Sequence, residues 1–292
     1  MKISYKNILT LLRPEQWVKN LLVLASLIFS KHFWDFSFTL RVIEAFFVFC
    51  LLSSSVYILN DFFDLSEDRL HPTKCLRPLA AGRVPMGFAL GLAAVLVFSS
   101  LTAAFALSKD LFWVCFSYFL LQTIYSLGLK HVVLLDVLSI ACGFVLRAVA
   151  GAVVIHVELS PWLLLCTFLL TLFLGLGKRR EEGLILEHQG DKVRPVLSHY
   201  PLPFLDALIS VVTGATVVSY ALYTVSPEVV QKFGTTHLIY TLPFVIYGIF
   251  RYLYLLHQRG GGDNPARVFL KDFALQMNVL VWLVACFWII YD

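Results

Sequence analysis

The chain has 292 residues, of which 59% are apolar and only 14% are charged, and its mean hydropathy is +0.80. Soluble domains contain about 45–50% apolar and about 25% charged residues. The composition therefore excludes a soluble enzyme, a disordered chain, a collagen-like fibre and a disulfide scaffold. The net charge of +4 indicates no partner by itself, and we expect no nucleic-acid ligand. Long apolar runs favour a polytopic helical membrane protein over a β-barrel, whose segments alternate.

Nine apolar segments are long enough to cross a bilayer, which takes about 20 residues of helix. In chain order they are 17–35, 40–60, 87–107, 111–129, 133–155, 160–177, 204–225, 236–256 and 273–291. The sequence thus predicts an all-α fold, a bundle of about nine transmembrane helices in a single domain over 1–292. The first segment is the weakest prediction, because Lys19 and Lys31 flank a short apolar core.

Basic residues outside these segments crowd one side of the membrane. The N-terminal tail and the loops 61–86, 178–203 and 257–272 carry most of them. The positive-inside rule places this side in the cytoplasm. We expect a multi-pass protein of the plasma membrane with a cytoplasmic N-terminus and active site and, after nine crossings, an external C-terminus.

An acidic motif follows the second segment. Asp61, Asp64 and Asp68 are spaced i, i+3 and i+7, which places them on one face of a helix. Clustered carboxylates repel one another unless a cation lies among them, and hard oxygen ligands suit Mg²⁺. Asn60 adds a neutral oxygen. Since ionisable groups at membrane depth are usually functional, we predict a Mg²⁺ site with these three aspartates as catalytic residues.

Four basic residues, Arg69, Lys74, Arg77 and Arg83, follow the acids directly. A metal on one side and cations on the other suit the binding of a diphosphate. Taken alone, the basic run is equally typical of an ordinary cytoplasmic loop.

Three further basic residues lie at or inside apolar segments. Arg147 follows Asp136 by about three helical turns, so both side chains project from the same face. Arg147 either binds phosphate or forms a buried ion pair that fixes the bundle. Lys130 is either a phosphate ligand or a lysine that reaches the membrane interface. Lys178 ends the sixth segment, where the helix dipole also favours a cation.

The motif N-D-x-x-D-x-x-x-D-R at 60–69, with R-P-L-A-A-G at 77–82, resembles the first aspartate-rich motif of the UbiA superfamily of intramembrane prenyltransferases. Further runs are similar to the decaprenyl-phosphate phosphoribosyltransferase subfamily. They are R-P-E-Q-W-V-K-N at 13–20, H-P-T-K at 71–74, Y-S-L-G-L-K at 125–130, G-F-V-L-R-A-V-A-G at 143–151 and G-K-R-R at 177–180. The resemblance covers nearly the whole chain.

The resemblance implies transfer of phosphoribose from 5-phosphoribosyl diphosphate to a polyprenyl phosphate, with Mg²⁺ and release of diphosphate. It also implies a role in supplying arabinose-containing cell-wall polymers. We expect the donor to be bound near Arg69 and Arg77, and the lipid phosphate away from the acidic motif, near Lys130, Arg147 and Lys178. The complete set of expected substrate-binding residues is Lys19, Asn60, Arg69, Lys74, Arg77, Arg83, Tyr125, Lys130, Arg147 and Lys178.

Two alternatives stay open. An aromatic-acceptor prenyltransferase would share the fold, but such enzymes usually carry a second aspartate-rich motif. The stretch 125–136 has a single acid, Asp136, and basic residues begin the loop at Lys178. A transporter is a different class, which typically has internal repeats and charges near the midplane. The length of the lipid and the oligomeric state are left open.

Overall fold

A computed structural model describes residues 4–71, 73–158, 160–189, 199–258, 268–269 and 271–292. Most of the described residues are helical and none of them forms a strand, so the all-α prediction is confirmed. The chain divides into two compact units. Unit 1 comprises Met1–Lys130 and Cys142–Glu158, and unit 2 comprises His131–Ala141 and Leu159–Asp292. A single domain over the whole chain remains a prediction.

Eight helices within the described residues are long and apolar enough to cross a membrane. With helices numbered along the chain, these are α3 (Phe36–Phe63), α5 (Met86–Leu107), α6 (Lys109–Leu127), α7 (Leu135–Val153), α8 (Pro161–Gln189), α9 (Leu202–Val225), α11 (Leu242–Gln258, preceded by a 3-10 turn, His237–Thr241) and α12 (Phe273–Tyr291). They match the second to ninth predicted segments. Four short helices complete the numbering: α1 (Tyr5–Leu12), α2 (Ala25–Phe29), α4 (Leu65–Leu70) and α10 (Pro227–Phe233).

The first predicted segment, 17–35, is not one continuous α-helix, so the count of nine is not confirmed. A 3-10 helix, Pro14–Leu24, leads into the short helix α2. Hydropathy measures apolar length and does not register the contacts that shape this segment. Asn20 is fully buried and bonded to its neighbours, and the backbone at Val23 lies directly against Gly151 of α7.

This segment nevertheless runs along α3 in the opposite direction. Arg13, just before the 3-10 helix, binds Asp61 near the end of α3. Further along, the amide of Asn20 donates to Ser53 Oγ at 3.1 Å. The chain then reaches the start of α3 at Phe36. The segment therefore spans the length of α3 within unit 1.

Each unit has its own apolar core. In unit 1, Phe49, Leu52 and Tyr118 are fully buried between α3, α6 and α7. In unit 2, Phe173 and Leu205 hold α8 against α9. These cores fix the helices that carry the polar residues described next.

Candidate active site

The acidic motif lies at the end of α3 in unit 1. Asp61, Asp64 and Asp68 are all buried, at 2%, 4% and 1% exposure. They do not share one continuous helix, because α3 ends at Phe63 and α4 begins at Leu65. The backbone N–H of Asp64 donates to the carbonyl oxygen of Asn60 (2.9 Å), and the N–H of Asp68 donates to the carbonyl oxygen of Asp64 (2.8 Å). The helical spacing therefore continues through this break. The three carboxylates therefore stay together, as the spacing predicts.

Each carboxylate has a basic partner. Arg77 lies between two of them, with its Nη1 at 3.0 Å from Asp61 Oδ1 and 2.5 Å from Asp68 Oδ2. Arg13 also binds Asp61. A buried carboxylate without a partner would be strongly destabilising. Because Arg13 and Arg77 are partly exposed, they can turn towards an incoming anion.

Lys130 pairs with Asp64, which corrects the expectation that this lysine lies away from the acidic motif. Both side chains are almost completely buried. The cause is the short 3-10 turn Leu129–His131 after α6, which directs Lys130 towards the end of α3. A second contact holds the end of α6 against the end of α3, since Ser126 Oγ donates to Asn60 Oδ1 at 3.2 Å.

The donor set suits Mg²⁺ chemically. Asp61 and Asp64 offer carboxylates, and Asn60 offers an amide oxygen while its Nδ2 donates to Asp64 Oδ2 at 3.0 Å. Within the described ranges, no group of three or more His, Cys, Asp or Glu side chains could hold a metal by itself. Mg²⁺ is usually bound through one or two carboxylates together with substrate phosphates. The residues therefore fit a metal that arrives with a phosphate ligand.

A polar face continues from Asp61 along α3. Tyr57, Ser54 and Ser53 precede Asp61 at helical spacing and lie on the same side. The guanidinium of Arg13 lies over the Tyr57 ring, 5.2 Å from its centroid. Trp17 donates its Nε1–H to Ser54 Oγ at 3.0 Å. This face extends the site away from the carboxylates, deeper along the helix.

Arg147 of α7 lies at the far end of this polar face, where Asn20 links it to Ser53. Its side chain is buried, at 4% exposure. Its guanidinium donates to three neutral acceptors, each at 2.8 Å: Asn20 Oδ1, Gly143 O and Tyr118 Oη. It also lies 4.7 Å from the centroid of the Tyr118 ring. No carboxylate pairs with it among the described residues, so the interpretation of Arg147 as half of a buried ion pair is wrong.

Asp136 belongs to a separate network in unit 2. It accepts from Arg179 Nε at 2.6 Å and from the Tyr200 hydroxyl at 2.7 Å. The same hydroxyl accepts the backbone N–H of Leu134 at 2.6 Å. Burial and the hydrogen bond to Asp136 raise the pKa of Tyr200, so its hydroxyl stays protonated and keeps donating. The spacing predicts that Asp136 and Arg147 share a helix face, and in the structure each side chain binds its own set of partners.

The remaining predicted residues differ in their surroundings. Arg69 and Arg83 are exposed and make no hydrogen bond or ion pair with the described part of the chain. Lys74 and Tyr125 are partly buried. Lys178, in unit 2, lies 3.6 Å from Glu182 one turn further along α8. Of the ten predicted substrate-binding residues, the structure brings Asn60, Arg77 and Lys130 to the carboxylates.

Sequence reasoning missed five residues of this site, namely Arg13, Trp17, Asn20, Tyr57 and Tyr118. The first three belong to the run at 13–20, which the resemblance had singled out without assigning them roles. Tyr57 lies one turn before Asp61, so helical periodicity could have found it. Nothing in the sequence marks Tyr118, whose role depends on the packing of α6 against α3 and α7.

These features define a multi-pass helical membrane protein with buried carboxylates and basic side chains at one end of α3. The family model for the UbiA prenyltransferase family matches residues 21–280. The chain belongs to this family.

Curated relatives and solved structures are similar over nearly the whole chain. A protein of Mycolicibacterium smegmatis named decaprenyl-phosphate phosphoribosyltransferase is 37% identical over 93% of this chain and 88% of its own length. A protein of the same name from Corynebacterium glutamicum is 38% identical over 96% and 85%. A UbiA homologue from Archaeoglobus fulgidus bound to GPP and Mg²⁺ superposes with a TM-score of 0.73 at 18% identity, covering 98% of this chain and all of that one. The structural likeness shows the fold.

Proposed function

We propose that this protein is a membrane enzyme that transfers phosphoribose from 5-phosphoribosyl diphosphate to decaprenyl phosphate or a similar polyprenyl phosphate. The products are polyprenylphosphoryl-5-phosphoribose and diphosphate. The observation that carries the proposal is the set of buried carboxylates paired with basic side chains, two of which are partly exposed, an arrangement that suits a metal-bound diphosphate. The relatives' shared name supports phosphoribose as the transferred group.

The donor's diphosphate binds at the carboxylates. Asp61 and Asp64, assisted by Asn60 and Asp68, would hold Mg²⁺, which neutralises the leaving group when it is bound. Arg77 and Arg13 can exchange a carboxylate for a phosphate oxygen, with charge-assisted hydrogen bonds in both states. Arg69, Lys74 and Arg83 add positive charge on the loop that follows, and Lys178 and Tyr125 are further proposed ligands.

The acceptor needs little activation. A phosphate monoester oxygen is already anionic, so no general base has to remove a proton. As the bond from the anomeric carbon to the diphosphate breaks, an oxygen of the lipid phosphate forms the new bond at that carbon. Positive charge at fixed positions then stabilises the departing diphosphate.

We also propose the orientation and the biological role. The acidic motif faces the cytoplasm of a cell whose plasma membrane holds the enzyme, and Asp292 lies outside. The segment 14–35 is a ninth crossing, because its contacts follow α3 from end to end. The product feeds arabinose-containing cell-wall polymers.

A labelled-donor assay tests the reaction. Purified protein in lipid nanodiscs receives Mg²⁺, polyprenyl phosphate and 5-phosphoribosyl diphosphate labelled in the ribose. We expect label in the lipid fraction, lost in Asp61→Asn and kept in Glu67→Gln, whose side chain is exposed on the neighbouring helix α4. A parallel reaction supplies labelled prenyl diphosphate and an aromatic acceptor. Product in that reaction alone would refute the proposal in favour of an aromatic prenyltransferase.

A further inference from the structure

Arg13 has a backbone conformation that is unusual for an arginine. Its φ of 52° and ψ of 59° lie in the left-handed region, at the position that ends α1, where glycine is the usual residue. Pro14 follows directly, and the residue before a proline favours an extended backbone. Strained residues of this kind persist only where the surrounding structure holds them, and they cluster at functional sites.

The side chain of Arg13 lies along α3. Its guanidinium binds the buried carboxylate of Asp61 and lies 5.2 Å from the centroid of the Tyr57 ring. Glycine at this position would relieve the backbone strain but would supply no guanidinium. We therefore expect the side chain of Arg13 to have a role that outweighs its unfavourable backbone.

Ser54 of α3 bonds to the chain on both sides of Arg13. Its Oγ accepts the Nε1–H of Trp17 at 3.0 Å. Its hydroxyl donates to two carbonyl oxygens, each 2.8 Å from Oγ, which are those of Leu12 and, within α3, Cys50. Leu12 is the last residue of α1, where carbonyl groups lack a partner within the helix. One hydroxyl thus ties the end of α1 and the following 3-10 helix to α3.

The neighbouring Ser55 provides a comparison within the same helix. Ser54 and Ser55 are both buried, at 1% and 0% exposure. The hydroxyl of Ser55 donates to the carbonyl oxygen of Leu52 at 2.6 Å, which is a bond inside α3. Ser54, by contrast, reaches the segment that carries Arg13. Removing either hydroxyl creates a similar small gap, but only the loss at Ser54 frees that segment.

We propose that Ser54 is a positioning residue for Arg13. It holds Leu12 and Trp17 against α3, so that the guanidinium stays at Asp61 and can receive the donor's diphosphate. The inference rests on the proposed function, in which Arg13 exchanges a carboxylate for a phosphate oxygen. Because Ser54 acts through Arg13, its hydroxyl should matter only while the guanidinium is present.

A double-mutant cycle between Ser54→Ala and Arg13→Gly tests this dependence. Arg13→Gly removes the guanidinium without adding strain, since glycine readily adopts the left-handed conformation. Losing a charge-assisted contact should lower kcat/KM for 5-phosphoribosyl diphosphate about ten- to hundredfold. Ser54→Ala should lower it about two- to tenfold, as expected for lost neutral hydrogen bonds, and Ser55→Ala should match wild type.

The double variant decides between a positioning role and a purely structural one. If Ser54 acts through Arg13, the double variant should be no worse than Arg13→Gly, because the two residues form one unit. If the two losses multiply, Ser54 acts independently of Arg13 and the inference is overturned. Ser54→Thr keeps the hydroxyl and should recover most of the activity that Ser54→Ala loses.

Trp17→Phe tests the other partner of the hydroxyl, because it removes the Nε1–H and keeps an aromatic ring. It should lower kcat/KM for the donor, with no further loss when combined with Ser54→Ala. Multiplied losses in this pair would refute the contact. Thermal melts check that each variant is folded, and Trp17→Phe replaces Ser54→Ala in the first cycle if the latter does not fold.

Calorimetry with Mg²⁺ and inorganic diphosphate repeats the first cycle without turnover. If wild type transfers phosphoribose and Ser54→Ala reacts and binds diphosphate as wild type does, the positioning role is wrong and the function stands. If wild type transfers no phosphoribose, the function is wrong. The positioning role then stands only if Ser54→Ala weakens diphosphate binding in the presence of Arg13 and not in Arg13→Gly. If wild type neither transfers phosphoribose nor binds diphosphate, both proposals are wrong.

Discussion

At the scale of single residues, the aspartates differ in how exposed their basic partners are. Arg13 and Arg77, the partners of Asp61, are 20% and 25% exposed and can reach water. Lys130, the partner of Asp64, is almost completely enclosed. Two carboxylates with the same proposed chemical role therefore contribute differently to stability.

Asp61→Asn should lose activity without losing the fold. Replacing a proposed metal ligand should reduce turnover by at least about a hundredfold, because the leaving diphosphate is no longer neutralised. The melting temperature in detergent should stay close to that of wild type, since Arg77 keeps its contact with Asp68 and Arg13 is partly exposed. Near-normal turnover at limiting Mg²⁺ would contradict the proposed role of Asp61.

Asp64→Asn should lose both activity and stability. Removing one partner of a buried ion pair costs about 3–5 kcal/mol, because the other charge remains buried and unpaired. Thermal unfolding in detergent measures this loss, with Glu67→Gln as the unaffected control. The double variant Asp64→Leu/Lys130→Met should recover stability but not turnover. If Asp64→Asn melted like wild type, the ion pair would be refuted.

At the scale of elements, the close approach of the 3-10 helix to α7 organises unit 1. A Cβ atom on Gly151 would lie 1.9 Å from the carbonyl oxygen of Val23 and 2.7 Å from Ser26 Oγ. The carbonyl oxygen of Val23 belongs to the backbone, so it cannot rotate away from an added Cβ atom. Gly151 is therefore required by packing rather than by its own backbone conformation.

Gly151→Ala should destabilise the protein by at least about 1–3 kcal/mol, the usual cost of overpacking. Gly214→Ala is the matched control, because a Cβ there meets nothing within 4 Å. Since alanine is a better helix former by about 1 kcal/mol, this control should be neutral or slightly stabilised. Melting temperatures of both variants in the same detergent give the comparison, and equal values would contradict the close approach.

At the scale of the whole molecule, orientation depends on whether the segment before α3 crosses the membrane. Eight helices meet the length and hydropathy requirements of a span. The segment 14–35 does not meet them as one helix, yet it follows α3 from its end to its start. We therefore expect nine crossings from eight long helices and one irregular segment.

Cysteine labelling in a cysteine-free background tests this topology. An impermeant maleimide should label Trp34→Cys and Asp292→Cys in intact cells, because the proposed topology puts both sites on the external face of the membrane. Lys6→Cys and Glu67→Cys should react only after permeabilisation. All four positions lie outside the eight spans. If Lys6→Cys and Trp34→Cys reacted from the same side, the segment between them would not cross.

The sequence by itself determined the class of fold, eight of the helices and the acidic motif. A long apolar run predicts a membrane helix, because the backbone N–H and C=O groups of a segment in hydrocarbon must be hydrogen-bonded within the protein. Helical spacing keeps Asp61, Asp64 and Asp68 together even though the helix breaks at Asp64. The run at 13–20 indicated a functional segment without revealing what it contacts.

Only the tertiary structure decided which charges meet. Lys130 lies against Asp64, and Asp136 pairs with Arg179 rather than with Arg147. Tyr118 and Asn20 became partners of Arg147 through the packing of separate helices. Spacing along one helix predicts which side chains share a face, whereas ion pairs between helices depend on register and crossing, which the packing of the cores sets.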